Sequence, residues 1–296
     1  MFRNLLAKYY HLIPGIHELA QIRDSLYELR SNMGALQAHQ FELALSAHAR
    51  YGDPQRLLRY ALQVCSQNGE DGMIQEVFRR IGTTDRIFVE IGVGNGSENN
   101  TAFLLSQGWT GFWIDGNPKF LKVIGDRKDL SRDCLQGLVS TVSRENVSAL
   151  FQQLKVPEVF DLLSLDIDQN TYYAWEGLAG YRPRVVVVEY NASILPGVEW
   201  KVRYEPNRMA DGTHNYGASL KALELLGRRL GYSLVGCDFI GVNAFFVRND
   251  LTDGRFSAPF TSENHFEPPR LALTHRRGHR ASILDRTGTE PREYQK

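Results

Sequence analysis

The sequence predicts an α/β fold in which helices cover a doubly wound, mostly parallel sheet, with a helical extension before it. From about residue 61, short apolar runs alternate with amphipathic stretches, the pattern of parallel strands joined by helices. A glycine-rich turn follows the first of these runs, as in sheets that bind ligands at the ends of their strands. The chain has 296 residues and is 43% hydrophobic, so it can bury a large core.

Seven strands are predicted in this region. The first five are expected to be parallel, and the last two lie close enough together to form a hairpin. The expected strands are 87–91, 111–114, 138–142, 161–166, 185–189, 233–238 and 244–248. A long polar segment and a helix over residues 218–230 separate the fifth strand from the hairpin.

Residues 1–60 contain little glycine and predict a helical extension. Its apolar residues are spaced alternately by three and four positions: Leu19, Ile22, Leu26, Leu29, Met33, Leu36 and Leu43, with Gln40 in one core position. This spacing is typical of a coiled coil that joins two or three copies, and also of a helix packed on its own domain. Both interpretations stay open, and the first residues, including Phe2 and Lys8, would also suit weak contact with a membrane surface.

The predicted organisation has three parts. A helical or coiled-coil extension covers residues 1–60, the α/β domain covers 61–254, and a polar tail or lid covers 255–296. The last part is rich in proline, arginine and histidine, so we expect it to cover a site or to be disordered.

The composition argues against several functional classes. Basic and acidic residues both number 34, so no overall positive field attracts a polyanion and no nucleic-acid partner is expected. The three cysteines lack metal-binding or redox spacing, which predicts reduced thiols in a cytoplasmic protein. No signal peptide or membrane span is predicted, so the expected location is the cytoplasm, with peripheral contact at the inner membrane face as an alternative.

Residues 87–103, IFVEIGVGNGSENNTAF, run from an apolar strand through three glycines into a helix. The glycines are Gly92, Gly94 and Gly96. They let a ligand approach the main chain near the positive end of a helix. A dinucleotide fingerprint would need its third glycine where Ser97 stands, so a nucleotide-dependent oxidoreductase is disfavoured. The next strand ends at Asp115, where such folds place a carboxylate on ribose hydroxyls.

Several motifs together carry a family resemblance. FVEIGVGNG, WIDGN and FDLLSLDID resemble the nucleotide-binding half of class I S-adenosylmethionine-dependent methyltransferases. SQNGEDGMIQEVF and VVVVEYN make residues 62–250 similar to FkbM-like methyltransferases. The resemblance implies a Rossmann-like fold and S-adenosylmethionine as cofactor. It implies that Glu90, Gly92, Gly94 and Gly96 surround the methionine part, that Asp115 binds the ribose, that Ser140, Thr141 and Val142 lie beside the adenine, and that Asp166 contacts the cofactor.

Acidic and amide side chains follow two neighbouring strands of the predicted sheet. SLDIDQN places Asp166 and Asp168 after one strand, and VVVVEYN places Glu189 and Asn191 after the next. The ligand crevice of an open sheet lies outside these strand ends. Asp166, Glu189 and Asn191 could bind Mg²⁺ or another divalent cation, which would lower the pKa of an acceptor hydroxyl. Otherwise Asp166 or Asp168 would cap a helix or hydrogen-bond the acceptor directly.

A general base is the alternative to a metal. The candidate catalytic residues are Asp166, Asp168, Glu189 and His214. His214 lies in a polar loop with Tyr216, and the ordinary histidine pKa of about 6.5 suits proton removal. The competing interpretation of His214 is an exposed loop histidine without a catalytic role.

Three further groups of residues have a functional and a structural interpretation each. Asn243 would face the acceptor or form a turn. Tyr172, Tyr173 and Trp175 would form an apolar platform for a sugar ring or pack in the core. Gln67, Glu70 and Asp71 would close over the cofactor or cap the next helix. Asn95 and Ser97 would touch the methionine carboxylate or cap the helix after the glycines.

The function that the resemblance implies is O-methylation of a sugar hydroxyl, in a cell-surface glycan or a glycoside. One alternative is a non-catalytic, methyltransferase-like interaction protein in a glycan-synthesis complex. Another is an O-methyltransferase of small natural products. A homo-oligomer that forms through residues 19–43 is the expected assembly if the coiled-coil interpretation holds.

Overall fold

The structure is a computed structural model that describes residues 16–46, 48–96, 98–126, 134–206 and 212–270. The described residues divide into two compact units. One contains helix α1, and the other is formed by Arg50–Pro269.

Helices and strands alternate through most of the chain. The helices are α1 (Ile16–Ser46), α2 (Ala49–Gly52), α3 (Glu70–Ile81), α4 (Ala102–Ser106), α5 (Phe120–Asp126), α6 (Val147–Gln153), α7 (Thr171–Gly177), α8 (Leu220–Leu230) and α9 (Ser262–His265). The strands are β1 (Ile87–Ile91), β2 (Thr110–Asp115), β3 (Leu135–Val139), β4 (Leu162–Leu165), β5 (Val185–Glu189), β6 (Tyr232–Cys237) and β7 (Asn243–Arg248). Short 3₁₀ helices cover Leu57–Tyr60 and Asn249–Leu251.

The strands form one sheet in the order β3-β2-β1-β4-β5-β7-β6. Strands β1 to β5 are parallel, and β7 is antiparallel to both of its neighbours. This confirms the predicted doubly wound, mostly parallel fold of the Rossmann-like type. The strand order reverses between β1 and β4, and ligand crevices of such sheets lie at that point.

Apolar clusters cover both faces of the sheet. In β5, Val186 and Val188 belong to one cluster, whereas Val185 and Val187 belong to the other. All four are fully buried, which explains why the strand has no polar residue before Glu189.

The third strand lies three residues earlier than predicted. Leu135 pairs with Gly111 and Val139 with Asp115, so β3 ends before Ser140. The strand is at the sheet edge and most of it is partly or fully exposed, so its apolar residues do not define its register. Thr141 therefore lies in the loop after β3, not in a strand.

The segment 255–270, the first part of the predicted tail or lid, is packed. Phe256, Ser262 and His265 are buried. The Tyr190 hydroxyl donates a hydrogen bond to the carbonyl oxygen of Glu267 at 2.6 Å. The rest of that predicted segment, 271–296, lies outside the described residues.

Helix α1 is 31 residues long and contains the predicted heptad spacing. Its apolar residues are each more than half exposed: Leu19, Ile22, Leu26, Leu29, Met33, Leu36 and Leu43. Among the described helices, none is both long enough and apolar enough to cross a membrane. The predicted membrane-contacting residues before residue 16 lie outside the described part of the chain.

Candidate active site

The glycine turn follows β1 at the carboxyl edge of the sheet. Gly92 and Gly94 have positive φ angles of 90° and 64°. A Cβ atom on Gly92 would lie 1.5 Å from the carbonyl oxygen of Asp166, so the ends of β1 and β4 leave no room for a side chain. A Cβ on Gly94 would meet nothing within 4 Å. Gly94 therefore borders open space, where a ligand can come close to the main chain.

The carboxylate of Glu90 accepts hydrogen bonds from groups of the protein itself. It accepts hydrogen bonds from the backbone N–H groups of Asn100 at 2.9 Å and Thr101 at 3.2 Å. It also accepts from Asn99 Nδ2 and Thr101 Oγ1, both at 2.5 Å. Burial raises the pKa of Glu90, and these hydrogen bonds oppose the rise. Glu90 thus fixes the chain before α4, while it also lines the cavity described below.

Asp115 ends β2 beside the glycine turn. Its Oδ2 accepts a hydrogen bond from the backbone N–H of Gly94, and its Oδ1 accepts one from Asn117, both at 2.6 Å. A carboxylate has about four lone-pair sites, so the half-buried Asp115 can accept further hydrogen bonds from a ligand. The ribose contact of Asp115 stays a prediction.

A cavity of about 130 Å³, here called the glycine-turn cavity, lies in front of Gly92 and Gly94. It is lined by Gln67, Glu70, Glu90, Gly92, Val93, Gly94, Asn95, Glu98, Asn99, Asn100, Asp166 and Asn243. Four of these residues are acidic, and none is lysine, arginine or histidine. The lining offers acidic oxygen atoms and no basic group, so the cavity favours a ligand that carries positive charge.

One wall of this cavity joins two segments that are far apart in sequence. Asn243 Nδ2 donates a hydrogen bond to Glu70 Oε1 at 2.8 Å. Because β7 is antiparallel to β5, its first residue, Asn243, pairs with Glu189, the last residue of β5. Asn243 is 4% exposed, and its Oδ1 has no hydrogen-bond partner in the described part of the chain. The wall thus offers a buried acceptor to a ligand.

The turn before β7 depends on Asp238. This buried carboxylate accepts hydrogen bonds from the backbone N–H groups of Ile240, Gly241, Val242 and Asn243. Burial and the nearby charge of Glu70 raise the pKa of Asp238 to about 7. Asp238 therefore positions Asn243 through the main chain.

Asp166, Asp168 and Glu189 converge beside the cavity, at the ends of β4 and β5. One carboxylate oxygen from each lies within 4.8 Å of the others. The backbone N–H of Asp168, which has an unusual φ of 55°, donates to Glu189 Oε2 at 3.1 Å. We call these three residues the carboxyl cluster.

Two members of the carboxyl cluster, Asp166 and Glu189, hold protons more tightly than ordinary carboxyls do. Burial and the charge of Asp168 raise the pKa of Asp166 to about 7. Burial and the charges of Asp166 and Asp168 raise the pKa of Glu189 well above its usual value. At neutral pH, the Asp166–Glu189 pair therefore keeps a proton that exposed carboxyls would have lost.

The predicted metal ligand Asn191 has a different task. Its Nδ2 donates to the carbonyl oxygens of His214 at 2.7 Å and Tyr216 at 2.9 Å. Its Oδ1 accepts from the backbone N–H of Ser193 at 3.1 Å. Asn191 thus holds the loop through both ends of its amide group. The carboxylate of Asp168, which the metal prediction did not include, converges with those of Asp166 and Glu189.

The loop held by Asn191 contains Tyr216, whose carbonyl oxygen accepts a hydrogen bond from Asn191 Nδ2. Burial and the charges of Glu189, Asp166 and Asp168 raise the pKa of Tyr216, so its hydroxyl stays protonated and can donate a hydrogen bond. The side chain of His214 is half-buried, and it is not among the described residues that line the glycine-turn cavity.

The structure separates the remaining candidates. Gln67 and Glu70 line the cavity, whereas Asp71 Oδ2 accepts hydrogen bonds from three backbone N–H groups and one hydroxyl of residues 64–66. Thr141 is exposed in the loop after β3, where Ser140 donates its N–H to the Asp115 carbonyl oxygen. The aromatic residues Tyr172, Tyr173 and Trp175 are buried in the core, which excludes the sugar platform.

Sequence reasoning missed Asn99 and Asn100, which line the cavity and bind Glu90. Both lie in the run NGSENNT, in which the sequence analysis assigns ligand or capping roles to Asn95, Gly96 and Ser97. Asn95 does line the cavity, and Ser97 lies outside the described residues. Two asparagines just before a helix, nine and ten residues after an acid near the end of a buried strand, are the signal in the sequence.

No protein-family model matches this chain, and no curated protein matches it in sequence. Solved structures with a similar fold include a 1,6-didemethyltoxoflavin-N1-methyltransferase from Burkholderia thailandensis with bound 1,6-didemethyltoxoflavin and S-adenosylhomocysteine. It is 15% identical, with a TM-score of 0.39 over 79% of this chain and 90% of that chain. Human methyltransferase-like protein 13 in complex with SAH is 12% identical, with a TM-score of 0.36 over 69% and 92%.

An O-methyltransferase family protein from Burkholderia thailandensis is 13% identical, with a TM-score of 0.35 over 60% of this chain and 58% of that chain. Similarity at this level carries no functional argument, so the function has to be argued from the site. The FkbM-like assignment stays a prediction.

Proposed function

We propose that this chain is an S-adenosylmethionine-dependent methyltransferase that transfers the methyl group to a hydroxyl oxygen. One observation carries the proposal. A glycine turn that is open to a ligand and a cluster of three carboxyl side chains lie side by side at one edge of the sheet.

The residues of the glycine-turn cavity fit the cofactor. S-adenosylmethionine carries positive charge on its sulfonium and ammonium groups, and the cavity lining is acidic. Asn243 Oδ1 is a buried acceptor for an ammonium group. The open side of Gly94 allows close approach to the main chain, and Asp115 can accept ribose hydroxyls. When bound, the cofactor supplies an activated methyl group and its own leaving group.

Asp166 is the proposed general base. Its pKa of about 7 lets it exist as a carboxylate near neutral pH and still bind a proton firmly. Glu189 keeps its own proton and donates it in a hydrogen bond to Asp166. Asp166 then removes the proton of the acceptor hydroxyl, which leaves the acceptor oxygen as the nucleophile.

The carboxyl cluster also fits a divalent cation, as an alternative to the base. Its donors are hard oxygen atoms within 4.8 Å of one another, which suits Mg²⁺ or Mn²⁺. Asp166, Asp168 and Glu189 would hold the ion, which would lower the pKa of the acceptor hydroxyl. We expect EDTA to abolish methyl transfer and Mg²⁺ or Mn²⁺ to restore it if the ion is used. If methyl transfer continues in the presence of EDTA, Asp166 is the group that removes the proton of the acceptor hydroxyl.

The proposed acceptor is a sugar hydroxyl of a neutral glycan or glycoside. Negative charge around the cavity disfavours acceptors with phosphate or carboxylate groups. We propose that the Tyr216 hydroxyl, whose pKa is raised by burial and by the charges of the carboxyl cluster, donates a hydrogen bond to a polyhydroxylated acceptor. The FkbM-like motifs point to the same acceptor class. A hydroxyl of a small natural product is the alternative acceptor.

Calorimetric titration tests the cofactor site. S-adenosylmethionine and S-adenosylhomocysteine are expected to bind the full chain, and Asp115→Ala is expected to weaken both. Asp126→Ala is the matched control, because Asp126 is an exposed acid outside the cavity. Failure of the wild-type chain to bind either compound, or binding of a nicotinamide dinucleotide instead, would overturn the proposal.

Transfer of a labelled methyl group tests the chemistry separately. A panel of neutral glycosides, acidic glycosides, small phenols and amines is incubated with methyl-labelled cofactor. Labelled ethers of the neutral glycosides are expected. Methylation of nitrogen alone would overturn O-methylation, and cofactor binding without transfer to any member would favour the non-catalytic interaction protein.

A further inference from the structure

We propose that helix α1 pairs with the same helix of a second copy of this chain, as a parallel, in-register coiled-coil dimer. The face that carries the pairing consists of Leu19, Ile22, Leu26, Leu29, Met33, Leu36, Gln40 and Leu43, here called the α1 seam. Its seven apolar residues are between 54% and 65% exposed. Helices rarely leave so many large apolar side chains in water along one line unless a partner covers them.

The spacing of the α1 seam identifies the kind of partner. Its steps alternate strictly between three and four residues over 25 positions, so the average repeat is 3.5 residues. A repeat shorter than the 3.6 residues of a straight helix keeps one seam in contact only with a partner that supercoils around it. A second α1 has the same repeat and the same length of about 46 Å, at 1.5 Å per residue.

Charges beside the seam favour the parallel arrangement. When Leu19 is assigned to heptad position a, Glu18 falls at position g and Arg23 at the following position e. In a parallel dimer, Glu18 of each copy faces Arg23 of the other, and this opposite-charge pair occurs twice. Both side chains are exposed, and the pairing of Arg23 with Asp24 of its own chain is a surface contact that is easily exchanged.

An antiparallel pair would lose this match. If the two seams ran in opposite directions with their ends aligned, Arg30 would face Arg30 of the other copy across the e positions. Gln40 would then lie against the apolar Ile22. In the parallel dimer, Gln40 instead faces Gln40, and the two amides can hydrogen-bond each other. A single polar layer of this kind fixes register in coiled coils.

Light scattering of the full chain tests the dimer. The expected mass is twice the 33.6 kDa of one chain. Leu26→Asp with Leu29→Asp is expected to give the monomer mass, and Tyr27→Asp on the same helix is the matched control that keeps the dimer. Circular dichroism of the double variant checks that Arg50–Pro269 remains folded. A monomeric wild-type chain, or a mass of three or more copies, would overturn the proposal.

Oxidative cross-linking tests direction and register. Gln40→Cys is expected to form a disulfide between copies, above the background given by the wild-type chain with its own three cysteines. Cross-linking only in a mixture of Gln40→Cys with Ile22→Cys would overturn the parallel arrangement. Glu18→Arg and Arg23→Glu are each expected to weaken the dimer several-fold, and the double exchange is expected to restore it. Absence of that rescue would overturn the charge pairing.

Discussion

Two acidic regions meet at the carboxyl edge of the sheet, and they use their charges differently. At the ends of β1 and β2, Glu90 and Asp115 accept hydrogen bonds from N–H and O–H groups of the protein. At the ends of β4 and β5, Asp166 and Glu189 face other acids, and their pKa values rise.

The difference suggests separate roles, in which the first pair of acids holds the structure in place and the second pair takes part in the reaction. Carboxyl groups that accept hydrogen bonds from internal donors hold the chain in place. Carboxyls that share protons with other acids can exchange a proton or bind a cation, because their charge is not compensated. We therefore expect changes near β1 to affect folding and cofactor binding, and changes near β4 and β5 to affect turnover.

The largest effect is expected where the two regions touch. Gly92→Ala would place a Cβ atom 1.5 Å from the Asp166 carbonyl oxygen, so we expect a loss of more than about 4 kcal/mol of unfolding free energy. Gly94→Ala is the matched control. It has space for the Cβ, so it should cost only about 1–2 kcal/mol from its left-handed backbone and should mainly weaken cofactor binding. Urea unfolding and calorimetry measure the two effects, and equal stability of the two variants would contradict the contact at Gly92.

The next largest effect concerns turnover. Asp166→Asn and Glu189→Gln are expected to lower kcat by about 10²–10⁴-fold, because each removes a carboxyl from the proton-holding pair. Both substitutions keep the shape of the side chain, so the affinity for S-adenosylhomocysteine should change little. Loss of that affinity in both variants would assign the two residues to the cofactor site.

A smaller effect is expected in the way the unfolding free energy of the ligand-free protein depends on pH. The pKa of Asp166 is about 7 in the fold and 3.8 in the unfolded chain, so the folded state binds its proton more tightly. Stability should therefore fall as pH rises from about 4 to about 7, by up to about 1.4 kcal/mol per pH unit for one proton. Asp166→Asn should flatten this fall but not remove it, because Asp238 titrates in the same range. Urea unfolding at several pH values checks this, and equal slopes for both proteins would contradict it.

The smallest effect is expected for Tyr216. Tyr216→Phe removes a hydroxyl near the carboxyl cluster without changing the ring. We expect KM for the acceptor to rise several-fold, about 1 kcal/mol for one hydrogen bond, with little change in cofactor affinity. Steady-state kinetics at saturating cofactor measures this. A loss as large as that of Asp166→Asn would instead give Tyr216 a direct part in proton transfer.

Much of the fold follows from local patterns that the sequence displays. The buried strand β5 and the glycine turn after β1 can be predicted from the sequence, because both depend on residues that are close together in the chain. The edge strand β3 was placed three residues late, because it has no buried face to define its register.

The site was less predictable for a related reason. Glu70 and Asn243 are 173 positions apart, and only the antiparallel insertion of β7 brings them into contact. The task of Asn191 could not be recognised either, because its partners are carbonyl oxygens of a distant loop. A side chain that binds main-chain atoms far along the chain produces no recognisable motif in the sequence, because any residue type can supply those atoms.

The position of β7 has a consequence for synthesis of the chain. Until β7 emerges from the ribosome, β5 is the last strand of an open sheet, with four valines and unpaired backbone groups at its edge. An apolar edge of this kind pairs readily with other chains, so nascent chains that end before Asn243 should be prone to aggregation. The strand that completes the cavity also closes that edge, so the binding site and protection from aggregation are acquired at the same moment.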